Sequence, residues 1–81
     1  MAERGTPWER ALARGLAEDF ALIVREQMAR TGVTQSELAQ RMGVSKTQVF
    51  QMLHSGNLTL RTMATALSAL DRRLVLRSGP L

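Results

Sequence analysis

The chain has 81 residues, enough for one small domain and too few for two with separate cores. Hydrophobic residues make up 44%, too many for a disordered chain, and 11 basic side chains against 7 acidic ones give a formal charge of +4. Cysteine is absent and His54 is the single histidine, which excludes a disulfide scaffold, a thiolate metal site and a histidine-based metal cluster.

Nearly everything reads as helix. Met1 to Gly5 has no periodic pattern and is expected to fray. Thr6-Pro7-Trp8-Glu9 combines an N-cap threonine, proline at the first helical position and glutamate at the third. Trp8, Leu12, Leu16, Phe20, Ile23 and Val24 then recur at spacings of three or four, which predicts one buried helical face. Gly15 weakens this helix and is a place where it can divide, and Gly32 is a C-terminal stop.

Thr34-Gln35-Ser36-Glu37 is a second capping box, opening a short helix through Leu38, Ala39 and Met42 that Gly43 stops. Ser45-Lys46-Thr47-Gln48 is a third, opening a helix that carries Val49, Met52 and Leu53 inward. His54-Ser55-Gly56-Asn57 is a turn cluster. Thr59 or Asn57 caps a fourth helix with Leu60, Met63, Ala64, Leu67 and Leu70 on one face. Arg73-Leu74-Val75-Leu76-Arg77 alternates and reads as a short C-terminal β-strand. The expected fold class is therefore all-α and compact, with residues 6–71 as the domain and 72–81 as a strand or tail.

Charge is unevenly spread. Residues 1–40 carry five arginines and six acids, net −1, whereas residues 41–81 carry six cations against Asp71, net +5. No acid lies between Glu37 and Asp71. A positive half without internal counter-charge favours a polyanionic partner, although a solvated face explains it equally well.

The stretch Gln35 to His54 joins two short helices by a tight Gly-Val-Ser turn. Ala39 is small where crossing helices come closest, and Gly43 stands where the turn favours positive φ. Leu38, Met42, Val44, Val49 and Met52 occupy the places that face the core between the two helices, the pattern of a helix-turn-helix unit.

The run Thr34 to Ser45 resembles the Cro/C1 (Xre-type) helix-turn-helix family of phage repressors and bacterial regulators, and the likeness extends over roughly residues 20–70. Asn57 to Met63, with the terminal Arg-Leu-Val-Leu, is similar to a subset that includes antitoxins. The resemblance implies a lambda-repressor-like domain of four to five helices whose third helix enters the DNA major groove. Phe50 departs from the pattern, because many relatives carry a polar residue or glutamate there, and base preference does not carry over.

Helical geometry places the candidate residues. With Val49, Met52 and Leu53 inward, Thr47 and Gln51 point outward as the main base readers, and Lys46 in the exposed first turn and Gln48 on the flank are the next candidates. Gln35, Ser36 and Ser45 stand at helix starts suited to phosphates, with Arg41, Asn57 and Arg61 as further phosphate candidates. Ser45 caps its helix with or without DNA. Phe50 is expected to pack against the turn at 55–60 rather than on bases, and His54 to be a helix-end residue.

These readings converge on a sequence-specific DNA-binding regulator, a repressor or autoregulator, expected as a cytoplasmic homodimer on an inverted repeat of double-stranded DNA. Leu74, Val75 and Leu76 are the expected dimer strand, with Trp8 as a further anchor or an alternative interface. The competing reading is an antitoxin that neutralises a toxin protein and autoregulates. An enzyme is disfavoured, because the chain offers no acid–base pair or activated nucleophile. No cofactor, metal, membrane contact or small-molecule ligand is expected; the longest apolar run, Phe20 to Val24, is far below the ~20 residues of a membrane span.

Overall fold

In a computed structural model of the chain, residues 5–55 and 58–80 are described. Among them the chain forms four α-helices: α1 (Pro7–Thr31), α2 (Gln35–Met42), α3 (Lys46–His54) and α4 (Leu60–Ala69). Each begins where a side-chain oxygen can satisfy an orphan backbone N–H. Thr6, Thr34 and Ser45 accept from Glu9, Glu37 and Gln48, and those third-position side chains bond back to the cap backbone, closing three capping boxes. Thr59 is the cap of α4, accepting from the Thr62 N–H.

Two of the helix ends need glycine. Gly32 and Gly43 lie at φ 72° and 74°, the left-handed conformation in which their N–H groups return to the last turn of α1 and α2. Gly43 N donates to the Gln40 carbonyl, and Val44 N to the Ala39 carbonyl. The link from α2 to α3 is therefore three residues long and tightly bonded.

The core forms where α1, α2, α3 and α4 meet. Phe20, Leu38, Val24 and Val49 are its most enclosed large side chains, joined by Ala21, Val33, Ala39, Met52, Leu53, Ala66, Leu67 and Leu70. Met42 and Val44 pack on its edge, so all five positions expected between α2 and α3 reach the core. No polar or charged residue is buried among the described residues.

Four expectations are corrected. Gly15 does not divide α1, which runs unbroken for 25 residues. Its apolar stripe is not one buried face either: Trp8, Leu12 and Leu16 remain 56%, 44% and 66% exposed. The reason is angular. Steps of four residues turn about 40° per step, so Trp8 stands about 120° round the helix from Phe20. In α4 the packed arc runs through Met63, Ala66, Leu67 and Leu70, leaving Leu60 and Ala64 in solvent.

The fourth correction concerns the tail. Residues 72–80 form no strand. Asp71, at φ 56°, ends α4, Arg72 N bonds back to the Leu67 carbonyl, and Leu74 packs on the core. Alternation supplies two faces but no neighbouring strand, and without one the backbone has no ladder to join.

Candidate functional site

α3 separates its residues cleanly. Val49, Met52 and Leu53 are buried, while Lys46, Thr47, Gln48, Phe50, Gln51 and His54 are exposed. At 100° per residue Thr47, Gln51 and His54 centre the outer face, Phe50 flanks it on one side and Gln48 on the other. No carboxylate lies on this helix.

The caps make α3 electrostatically distinct from α1 and α2. Those two carry Glu9 and Glu37 in their first turns, and each carboxylate offsets the positive end of its helix dipole. The first turn of α3 has no acid, because its box is closed by the neutral Gln48, whose Oε1 accepts from Ser45 N at 2.8 Å. Ser45 and the Gln48 carbonyl oxygen are thus engaged in the cap, while the Gln48 amide NH2 still faces outward as a donor.

The other expected positions fall out as follows. Gln35 is half-buried and Ser36 exposed at the start of α2. Arg61 is exposed in the first turn of α4. An open groove of about 450 Å³ links that turn to α3; Gln48, Gln51, Ser55 and Thr62 form its polar rim over Met42, Val44, Met52 and Leu58. Arg41 points elsewhere. Its Nη1 donates to the Ala69 carbonyl at 3.2 Å, fastening α2 to the end of α4. Asn57 lies outside the described residues. Of the expected dimer residues, Leu74 is partly spent on the core, while Val75 and Leu76 are 78% exposed.

One cluster had no signal in the sequence pattern. Arg25, on α1, donates through Nη2 to the Leu53 carbonyl at 3.2 Å and lies 3.0 Å from His54 Nε2. His54 Nδ1 lies 2.8 Å from the Phe50 carbonyl. A carbonyl can only accept, so Nδ1 carries the ring proton and Nε2 accepts from Arg25; this tautomer is assigned from the partners. Phe50 stacks on the same ring, with centroids 4.0 Å apart and planes inclined by 22°. Phe50 therefore packs on His54 and stays 52% exposed beside the outer face of α3.

No grouping of His, Asp or Glu among the described residues could hold a metal ion. No helix there is long and apolar enough to cross a membrane. No family model matches the chain, and no curated protein matches it.

Proposed function

We propose that the chain binds double-stranded DNA by laying the outer face of α3 in the major groove and acts as a sequence-specific regulator of transcription. The observation that carries this reading is the composition of that face. Thr47, Gln48 and Gln51 stand exposed on a helix whose opposite side is locked into the core, Lys46 is exposed in its first turn, and there is no carboxylate among them. Gln pairs in a bidentate way with adenine, Lys donates to guanine and Thr contacts the thymine methyl.

The surroundings favour the same partner. The uncompensated first turn of α3 suits a phosphate, as do the exposed Ser36 and Arg61 on neighbouring helices. The short α2–α3 link with its left-handed Gly43 supports reading α2 and α3 as a helix-turn-helix unit, the type that presents its second helix to DNA. Arg41 contributes mainly by holding α2 on α4, and its charge adds to the field rather than to a fixed contact.

Repeated selection of bound duplexes from a random pool tests the reading directly. A defined motif of a few base pairs per protomer is expected. A pool that stays random, or affinity that hardly changes with salt, refutes it.

A further inference from the structure

The first ten residues of α1, Pro7 to Leu16, contain no buried residue, whereas Ala17, Phe20, Ala21 and Val24 beyond them are buried. That is about 15 Å of helix standing clear of the core. It propagates from the packed half of α1, so it needs no nucleus of its own, yet it gains no stability from tertiary packing within the chain. The Thr6–Glu9 box fixes where it starts but supplies no packing. Its apolar face is nonetheless there: Trp8, Leu12 and Leu16 make a continuous exposed stripe.

We propose that a second copy of the chain covers this stripe, the two α1 segments packing antiparallel about a two-fold axis at Leu12. The inference stands apart from DNA binding, since it uses neither α3 nor the tail. In that register Trp8 of one copy meets Leu16 of the other, and Leu12 meets its own counterpart, a self-complementary contact. Gly15, beside Leu16, has nothing within 4 Å of where a Cβ would sit, which leaves room for the indole of the second copy.

Charge selects the antiparallel arrangement. Arg10 and Arg14 project from the far side of α1, and Glu9 and Asp19 are the charges bordering the stripe. Parallel packing would set each of these acids against its own copy and align the two helix dipoles, whereas antiparallel packing staggers the acids and opposes the dipoles. The area is adequate for a modest dimer. Covering the three side chains on both copies removes on the order of 700 Å² from water, and the residues around them bring the contact toward the roughly 1,200 Å² at which specific interfaces begin. A contact at this small end of the size range is expected to be a weak one, and about 1–100 µM is the dissociation range set for the test.

The absence of native cysteine makes the register directly readable. A disulfide needs Cα atoms about 4.4–6.8 Å apart. Under mild oxidation Leu12→Cys alone is expected to form a covalent dimer. Trp8→Cys alone and Leu16→Cys alone are not, because each is displaced from its own counterpart by about 12 Å along the axis; a mixture of the two is expected to cross-link. By sedimentation the unmodified chain should be a dimer at about 1 mM, tenfold above the top of the expected dissociation range, and Leu16→Glu a monomer with unchanged far-ultraviolet circular dichroism. Leu76→Glu should leave the dimer intact. Self-cross-linking of Trp8→Cys as fast as that of Leu12→Cys overturns the antiparallel register. A chain that stays monomeric at that concentration assigns the stripe to a different protein and overturns the proposal, as does dissociation by Leu76→Glu alone.

Discussion

Replacing Gly43 by alanine isolates one physical effect, the cost of forcing an L-residue into a left-handed conformation. Gly43 sits at φ 74°, and a Cβ built there meets nothing within 4 Å, so a methyl group brings strain without a clash. The left-handed region costs an ordinary residue about 1–2 kcal/mol, and the loss should fall in that range. A domain of this size has a total stability of about 4–12 kcal/mol and a urea slope near 1–1.5 kcal/mol/M, so the midpoint should drop by about 1 M. Gly43→Asn should recover much of the loss, because asparagine tolerates this conformation, and Gly43→Val should lose more. Gly15→Ala is the internal control, read at a protein concentration below the expected dimer dissociation range so that the proposed α1 contact does not enter. Its Cβ also meets nothing, but it lies inside α1, and the change should stabilise by about 0.5–1 kcal/mol. Urea titrations followed by circular dichroism at 222 nm, run at one protein concentration, measure all four. If Gly43→Ala and Gly43→Asn lose equally, or Gly43→Ala loses nothing, the strain argument is wrong.

Further expectations separate fold from recognition. Ser45→Ala removes the α3 cap and should cost about 1 kcal/mol in the same urea assay. Thr47→Ala and Gln51→Ala should leave the urea midpoint unchanged and each relax the selected DNA motif at one or two positions, by about 1–3 kcal/mol. Affinity for DNA should fall with salt at a log–log slope of about −4 to −5 per protomer, as for four to six phosphate contacts; a slope near zero contradicts it. Arg41→Ala should show a stability loss of about 0.3–1 kcal/mol from its helix-end contact at Ala69, together with weakening of all DNA sequences alike.

The parts of the fold legible in the sequence are those decided within four residues. Thr6, Thr34 and Ser45 each bond to a partner three positions on, so their capping boxes are local facts that a sequence displays. Gly32 and Gly43 are equally local. Leu38, Ala39, Val49 and Met52 could be placed because α2 and α3 are short and joined by three residues, which fixes how they meet. The misplaced residues depend on distance. Trp8 is uncovered because a four-residue spacing drifts about 40° per step, and over the twelve residues to Phe20 the drift carries it about 120° round α1. Leu74 was matched to a strand by alternation, a signal that says nothing about whether a second strand is in reach. In α4, Ala66 takes the enclosed place because the neighbouring helices come close there, and a small side chain carries no hydrophobic signal of its own. For the candidate site, the outward set Lys46, Thr47, Gln48 and Gln51 followed from the inward set on the same helix. Arg25 and His54 meet across 29 positions, and no local spacing foretells that.

That meeting makes Phe50 the residue where fold and recognition are most easily told apart. Phe50 is half exposed, and its ring touches His54, whose position is held independently by the Phe50 carbonyl and by Arg25. Phe50→Ala keeps the carbonyl and therefore keeps His54 in place, so it should forfeit little more than the ring contact, about 0.5–1.5 kcal/mol. Arg25→Ala is the opposite case. It removes the donor to both the Leu53 carbonyl and His54 Nε2 and should loosen the end of α3 against α1. The DNA consequences differ accordingly. The Phe50 ring borders the face centred on Thr47 and Gln51, and an apolar edge in the major groove recognises the thymine methyl. Exchanging thymine for uracil in a selected site removes that methyl and nothing else. The native chain should lose affinity at one such position, and Phe50→Ala should bind the two duplexes equally there. Arg25→Ala should still tell them apart while binding both more weakly. If Phe50→Ala still tells thymine from uracil at every position where the native chain does, Phe50 packs on His54 without reading a base, and the proposed recognition surface of α3 narrows to Lys46, Thr47, Gln48 and Gln51.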